Sequence, residues 1–269
     1  MFDWAVFALL VAICIPGLVI TAPRLIAALQ TTIEANLRPG QTLPSQPVLA
    51  GISVLQNVVI VTIAAAIGTA LAHRVGLRAP FFEALAARGP LWPALMPQLV
   101  PMLVAGTGGS LLFLAVYYGI VRPRLDENTV MRSEYLRAQL GVWGRLLYGG
   151  IVEEVIVRWG LMSLLAWAGA LLFGASTPRV MWMAIVISGV LFGLGHLPSH
   201  LAVGCRKTPM FVASLVGLNL WASLIFGWLF WRYGLLAAIL AHMVFHLIWL
   251  PLDFRYVHRQ GAGSNMQAA

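Results

Sequence analysis

Residues 149–160 read GGIVEEVIVRWG and place two adjacent glutamates and an arginine inside an apolar segment. The apolar run around them, residues 143–173, is long enough to cross a bilayer, because a spanning helix needs about 20 residues. A charged side chain at the bilayer centre costs roughly 2.5–3.5 kcal/mol on insertion scales. Charges kept inside such a span indicate a functional site within a membrane protein.

The composition of the whole chain agrees with that interpretation. Its 269 residues are 60% hydrophobic and only 10% charged, with a mean hydropathy of +0.87. A soluble globular protein has roughly 45–50% apolar and about 25% charged residues. The composition therefore excludes a soluble enzyme, a disordered protein and a collagen-like chain. The two cysteines, Cys14 and Cys205, form no CxxC pattern and predict no disulfide framework.

The predicted fold is an all-α, polytopic membrane bundle of about seven or eight transmembrane helices. The predicted spans are residues 4–22, 48–71, 95–121, 143–173, 178–197, 210–231 and 234–252. Between them, residues 80–88 resemble a short interfacial amphipathic helix. The polar stretch 122–140 is predicted to be a surface loop or an amphipathic helix.

We divide the chain into three parts. Residues 1–140 hold the N-terminal transmembrane helices and a cytoplasmic loop, residues 141–255 form the transmembrane core with the motifs EExxxR, FxxxH and HxxxH, and residues 256–269 are a C-terminal tail. The tail is predicted to be disordered from Gly261 onward, where the sequence reads GAGSNMQAA.

The distribution of basic residues predicts the partners and the orientation. The net charge is +8, but the cations lie between apolar runs, so anionic lipid headgroups are the expected partner and nucleic acid is not. The predicted loops carry five cations on one side of the membrane and ten on the other. Because cations are enriched in cytoplasmic loops, the N-terminus is predicted outside and the C-terminus inside.

The first of three polar clusters within the spans is Glu153, Glu154 and Arg158. Residues four apart share one helix face, so Glu154 is expected to pair with Arg158. Glu153 is rotated about 100° from Glu154 on a 3.6-residue turn and cannot share that geometry equally well. Two adjacent carboxylates with one cation are expected to titrate as a coupled set, which suits a general acid or base. The alternative is a buried ion pair that holds helices together.

The other two clusters contain histidines. Residues 192–196 read FGLGH, and Pro198 is predicted to end the helix, which places His196 in its last turn. Taken alone, His196 is more typical of a packed or interfacial histidine than of a catalyst. His242 and His246 are four residues apart and share one face, a spacing that suits a metal pair or two hydrogen-bonding groups. The alternative is a pair that bonds to neighbouring helices.

Topology predicts that these clusters meet. Under the seven-span arrangement, all three can lie in the cytoplasmic half of the bundle. Four glycines flank them and predict either an access cleft or close helix packing: Gly149, Gly150, Gly193 and Gly195.

The three motifs in this order resemble those of the CPBP family, the type II CAAX prenyl endopeptidases and the bacteriocin-processing or immunity-type membrane proteases. The shared features are EExxxR at Glu153, FxxxH at Phe192 and a third motif at His242. The resemblance covers roughly residues 145–250. It implies an intramembrane endopeptidase that acts on a membrane-tethered peptide, a prenylated C-terminal CAAX-type peptide being one known class of substrate.

The resemblance also implies roles for the site residues. Glu153 and His196 would activate a water, and Glu154 with Arg158 would hold the first glutamate and anchor the substrate. His242 and His246 would stabilise the oxyanion, and Phe192 supports the second motif. His246 stands where the family often has asparagine. We expect no cofactor, with zinc on Glu153, His196 and His242 as the alternative.

Two other classes of function stay open on the sequence. One is a non-catalytic immunity or scaffold protein with the same fold. The other is a metal, haem or ion-conducting membrane protein that uses His196, His242 and His246. Adjacent carboxylates beside an arginine fit haem ligation poorly.

Overall fold

The computed structural model describes residues 2–35, 37 and 41–267, and this part of the chain is helical with no β-strand. Nine α-helices follow one another: α1 Trp4–Ala35, α2 Gln46–Leu71, α3 Pro80–Ala86, α4 Leu91–Val116, α5 Glu127–Gly144, α6 Ser163–Phe173, α7 Pro178–Ala202, α8 Pro209–Tyr233 and α9 Leu235–Gln267. Wider π-helical turns, Arg145–Glu153 and Val155–Met162, join α5 to α6 without a loop. A third π-helical turn, Tyr117–Val121, extends α4.

Seven of the described helical stretches are long and apolar enough to cross a membrane, which confirms the predicted polytopic bundle. They are Trp4–Gln30, Gln46–Val75, Leu91–Arg124, Glu127–Phe173, Pro178–Ala202, Pro209–Tyr233 and Leu235–Phe254. The predicted spans correspond to these one for one, but several ends differ. The largest difference is in the fourth, which begins at Glu127 rather than near residue 143.

The polar stretch 122–140 is therefore mostly helix, and the surface-loop alternative is wrong. Asp126 accepts a hydrogen bond from the backbone N–H of Thr129 at 3.1 Å and caps the start of α5. Within α5, Thr129, Glu134 and Leu136 are buried, so this helix packs into the protein with one polar face inside.

Two further expectations differ from the structure. The helix does not end at Pro198, since α7 continues to Ala202, and His196 lies in its interior. A proline removes one backbone hydrogen bond, but a helix packed among neighbours tolerates this loss. At the other end of the chain, α9 continues as helix to Gln267, where the sequence predicted disorder from Gly261. Residues 268 and 269 lie outside the described part.

Small residues bring α2 against the segment that carries the glutamates. A Cβ atom on Gly160 would lie 2.9 Å from the Cα atom of Ala64, so these backbones touch. Trp159 is fully buried beside them and its indole N–H donates to Thr69 at 3.3 Å. These contacts fix the rotation, relative to α2, of the segment that carries Glu153 and Glu154.

A kink at Gly141 interrupts α5 three residues before this helix ends at Gly144. Gly141 has φ of 62° and ψ of −176°, a left-handed region in which a side chain is strained. The kink frees two carbonyl groups, and arginine side chains bond to them: Arg24 donates to the Leu140 oxygen at 3.0 Å and Arg145 donates to the Arg137 oxygen at 3.1 Å. Arg145 is thus folded back into the protein interior.

Candidate active site

Glu153, His196 and His242 face one another across a cavity of about 650 Å³. Glu153 Oε1 lies 3.8 Å from His196 Nε2, and Glu153 Oε2 lies 4.0 Å from His242 Nε2. The residues come from three separate segments: the π-helical turn Arg145–Glu153, α7 and α9. The predicted convergence of the three clusters is therefore confirmed in its geometry.

The distances around Glu153 are too long for direct hydrogen bonds. A polar contact beyond about 3.5 Å is commonly bridged by a water molecule. The Glu153 side chain is 18% exposed and that of His196 is 29% exposed, so water can reach both from the cavity. The gap between the carboxylate and the imidazole has the size and polarity to hold one water.

Hydrogen bonding assigns the protonation pattern of His196. Its Nδ1 lies 2.9 Å from the backbone carbonyl of Phe192, which can only accept a hydrogen bond. In the neutral ring the proton is therefore on Nδ1, and Nε2 presents a lone pair to Glu153. The Phe192 ring meets the His196 ring edge-on at 4.6 Å and fixes its plane.

His242 is oriented in the same way by Glu154. Its Nδ1 lies 2.9 Å from Glu154 Oε1, while Glu154 Oε2 lies 3.3 Å from Arg158 Nε. The predicted pairing of Glu154 with Arg158 is thus confirmed. Because arginine stays protonated, the carboxylate accepts the Nδ1 proton of His242 and turns its Nε2 toward Glu153.

The second glutamate therefore serves a different partner from the one that the resemblance implied. Its described contacts are with His242 and Arg158 rather than with Glu153. Arg158 is itself fixed by a 3.1 Å hydrogen bond to Ser223, and its guanidinium lies over the rings of Phe192 and Phe226. Glu154 thus links the first motif to the third.

His246 lies one helical turn beyond His242 in the same cavity. The two rings stack with their centroids 4.8 Å apart. A Cβ atom on Gly149 would run into His246 Nε2, so only glycine leaves room for the ring at this point. His246 Nδ1 is buried and has no hydrogen-bond partner among the described residues. The ring is held by packing more than by hydrogen bonds.

The other predicted glycines divide between packing and cavity. Cβ atoms on Gly150 and Gly193 would come within 2.5 Å of Met243 and 2.8 Å of Val216 respectively, so both mark close helix contacts. A Cβ on Gly195 would meet open space, and Gly195 lines the cavity. Gly150 and Gly193 therefore fit the prediction of close helix packing, and Gly195 fits the prediction of an access cleft.

The donor set has the right chemistry for zinc but not its spacing. Two imidazole nitrogens and a carboxylate are common zinc ligands. Ligand atoms bound at about 2.0–2.1 Å in a tetrahedron lie about 3.4 Å apart, whereas the gaps from Glu153 to His196 and His242 are 3.8 and 4.0 Å. Within the described residues, no group of three His, Cys, Asp or Glu side chains is arranged to hold a metal ion.

The cavity also contains residues that the sequence reasoning missed. His200 lines it one turn beyond His196, with Nδ1 3.0 Å from the His196 carbonyl oxygen. Its far end holds Arg137 and Arg145, and both pair with Asp253. The sequence placed Arg145 near one end of the predicted span 143–173 without a role, and it placed Arg137 in the polar stretch 122–140, outside the spans.

Comparison with known proteins identifies a family over the segment that carries the site. Residues 137–248 match the family described as Rce1-like type II CAAX prenyl endopeptidases. The match contains all three motifs, and the predicted resemblance to the CPBP family is confirmed. No curated protein and no solved structure matches the chain.

Proposed function

With the type II CAAX prenyl endopeptidase match over residues 137–248 as the premise, we propose that the chain hydrolyses a peptide bond of a membrane-tethered substrate. The family that these residues match is one of proteases, and seven apolar helices support an integral membrane protein. The observation that carries the proposal is the gap between Glu153 Oε1 and His196 Nε2, which measures 3.8 Å and opens to the cavity. A prenylated CAAX-type peptide is the proposed class of substrate.

In the proposed reaction, one water bridges Glu153 and His196. The water oxygen forms a bond to the scissile carbonyl carbon, and its proton passes to the Glu153 carboxylate while His196 Nε2 orients the second O–H. The tetrahedral intermediate collapses, the C–N bond breaks, and Glu153 returns the proton to the leaving amine. A well-placed general base of this kind contributes typically 10²–10⁴-fold.

His242 and His246 are the proposed oxyanion partners. Neutral His242 presents a lone pair at Nε2, because Nδ1 donates to Glu154. It can donate to an oxyanion only when the ring carries both protons, and the Glu154 carboxylate at 2.9 Å balances that charge. A donor aimed at developing negative charge in a water-poor site contributes a few kcal/mol, about 2.7–4 for a single oxyanion donor in a well-studied case.

We propose no zinc in the reaction, because the ligand gaps exceed tetrahedral spacing. We also propose that the site faces the cytoplasm, with the N-terminus outside and the C-terminus inside, from the excess of basic residues in the corresponding loops. Membrane lipids and a peptide or protein substrate are the partners of such an enzyme. The division into residues 1–140, 141–255 and 256–269 stays a prediction.

The test is cleavage of an S-farnesylcysteine peptide by the purified protein in lipid nanodiscs. We expect wild type to cleave it and Glu153→Ala and His196→Ala to lose at least about 100-fold in kcat/KM. Glu127→Ala removes an exposed carboxylate outside the cavity and is the matched control. Wild-type rates in the Glu153 and His196 variants would contradict the proposal and favour a non-catalytic protein.

A second arm tests the metal. A zinc chelator is expected to leave the rate of wild type unchanged. Loss of activity with the chelator, restored by added zinc, would instead assign Glu153, His196 and His242 as metal ligands.

A further inference from the structure

The far end of the active-site cavity holds two arginines that share one buried aspartate. Arg137 Nη2 lies 3.1 Å from Asp253 Oδ1, and Arg145 Nη2 lies 2.8 Å from Asp253 Oδ2. The Asp253 and Arg145 side chains are only 1% and 2% exposed. The neighbouring Arg122 is paired with buried Glu134 and adds no net charge. The two guanidinium groups and one carboxylate of the Arg137–Arg145–Asp253 cluster therefore leave it with a net charge of +1.

One guanidinium in this cluster has a hydrogen-bonding group left over. Arg145 Nε donates to the Arg137 carbonyl and Nη2 bonds to Asp253, but Nη1 is buried with no partner in the described part of the chain. A buried charged donor without a partner is costly, and such groups are normally satisfied by protein, water or a ligand. Arg145 lines the cavity that begins at Glu153.

Arg137, in contrast, is fully engaged and holds the cluster in place. It donates to Asp253, to Ser133 at 3.0 Å and to the Tyr117 hydroxyl at 3.2 Å. Its guanidinium also lies over the Trp249 ring at 4.7 Å from the centroid. A partner that neutralises the cluster would therefore bind at Arg145, with Arg137 and Asp253 as a rigid support.

We propose that the Arg137–Arg145–Asp253 cluster binds the C-terminal carboxylate of the peptide substrate, and that Arg145 contacts this carboxylate directly. The proposal rests on the proposed function and adds a specificity subsite to it. A carboxylate supplies the missing negative charge and matches the fork of a guanidinium. Arg145 is a specificity residue and takes no part in bond cleavage.

The separation of the cluster from Glu153 sets the length of peptide that fits. The Cα atom of Arg145 precedes that of Glu153 by eight residues on one helical run, about 12 Å at 1.5 Å per residue. On the opposite wall, Asp253 follows His246 by seven residues, about 10 Å. An extended chain covers about 3.3–3.6 Å per residue, so about three residues lie between the scissile bond and the bound carboxylate.

The experiment compares two peptides that differ only at the C-terminus. Both are S-farnesylcysteine peptides with three residues after the cysteine, one a free acid and the other an amide. The ratio of kcat/KM for the acid to kcat/KM for the amide is measured in phosphatidylcholine nanodiscs. Because both peptides are measured on the same protein preparation, the inactive fraction of the protein cancels from this ratio. We expect wild type to favour the acid by tenfold or more, chiefly through KM, as for a hydrogen bond to a charged group.

Three variants sharpen the comparison. Arg145→Gln is expected to bring the ratio near one, and Arg145→Lys to keep part of the preference because it keeps the charge and loses the fork. The matched control is Arg124→Gln, which removes an exposed arginine bonded to the Ile120 carbonyl of its own helix, and is expected to leave the ratio unchanged. An Arg145→Gln ratio equal to that of wild type would overturn the proposal.

Binding separates this proposal from the proposed function. Glu153→Gln protein is titrated with both peptides, so the acid preference is measured without hydrolysis. Preference for the acid in binding but no cleavage by wild type would support the subsite and refute the protease. Equal binding of acid and amide would refute the subsite. If Arg145→Gln alters only the response to added phosphatidylglycerol, the cluster binds a lipid phosphate and the peptide-carboxylate assignment is wrong.

Discussion

Replacing Glu154 by glutamine distinguishes the two adjacent glutamates. Glu154 Oε1 accepts from His242 at 2.9 Å, and Oε2 faces Arg158 at 3.3 Å. A glutamine keeps the shape but has one oxygen and an NH₂ group, so one of the two donors loses its acceptor. It also removes Glu154 as the ion-pair partner of Arg158, which is fully buried and has no other ion pair among the described residues.

The magnitude of the effect follows from this geometry. Breaking a buried ion pair by removing one partner costs about 3–5 kcal/mol, because the remaining charge is uncompensated. For a protein of roughly this size, each kcal/mol lowers the melting temperature by about 2–4 °C. Glu154→Gln is therefore expected to melt on the order of 10 °C below wild type.

Glu153→Gln is the matched comparison and should behave differently. The distances from its oxygens to His196 and His242 are 3.8 and 4.0 Å, so the substitution breaks no direct hydrogen bond to either ring. Its melting temperature is expected to stay within about 2 °C of wild type. Its activity should nevertheless fall by about 10²–10⁴-fold, since an amide cannot take a proton from water.

The assay combines thermal unfolding in nanodiscs with a cleavage measurement. Cleavage is measured at a temperature below both melting points, where both variants are folded. Glu153→Gln should lose activity and keep stability, whereas Glu154→Gln should lose both, since His242 is no longer held in its tautomer. Equal melting temperatures for the two variants would refute the assignment of Glu154 as the buried support. A larger loss of stability in Glu153→Gln would refute it as well.

Two further predictions concern other positions. Gly149→Ala should displace the ring of His246 and lower kcat, whereas Gly119→Ala, where a Cβ meets open space, should leave kcat unchanged; both are checked by steady-state kinetics. Burial raises the pKa of the Cys205 thiol to about 11, so maleimide should label it slowly at pH 7.5 and faster as the pH rises toward that value, because only the thiolate reacts. Labelling at pH 7.5 as fast as in unfolded protein would contradict the buried position of Cys205.

The features that the sequence predicted are those that depend on one helix at a time. The pairing of Glu154 with Arg158 follows from i,i+4 spacing, and the seven spans follow from hydropathy. The convergence of the motifs at Glu153, His196 and His242 was predicted from the depth of each residue within its span, because a polar group in a membrane protein tends to face the bundle interior.

The features that the sequence missed depend on pairs of helices. Which carboxylate hydrogen-bonds to His242 is set by the rotation of the segment that carries both glutamates, and hydropathy carries no information about rotation. Arg137 and Arg145 lie in or beside a polar stretch, but their charges are matched by Asp253 about 110 residues later in α9. That pairing makes the stretch compatible with burial, and a sequence window cannot detect it.

The central claim is that Glu153 and His196 activate a water that attacks the peptide bond directly. The most direct measurement is cleavage in ¹⁸O-labelled water, with the products analysed by mass spectrometry. Wild type should place one ¹⁸O atom in the new carboxylate during a single turnover, and Glu153→Gln should form no labelled product above background. Labelled product formed by Glu153→Gln at the rate of wild type would contradict the account.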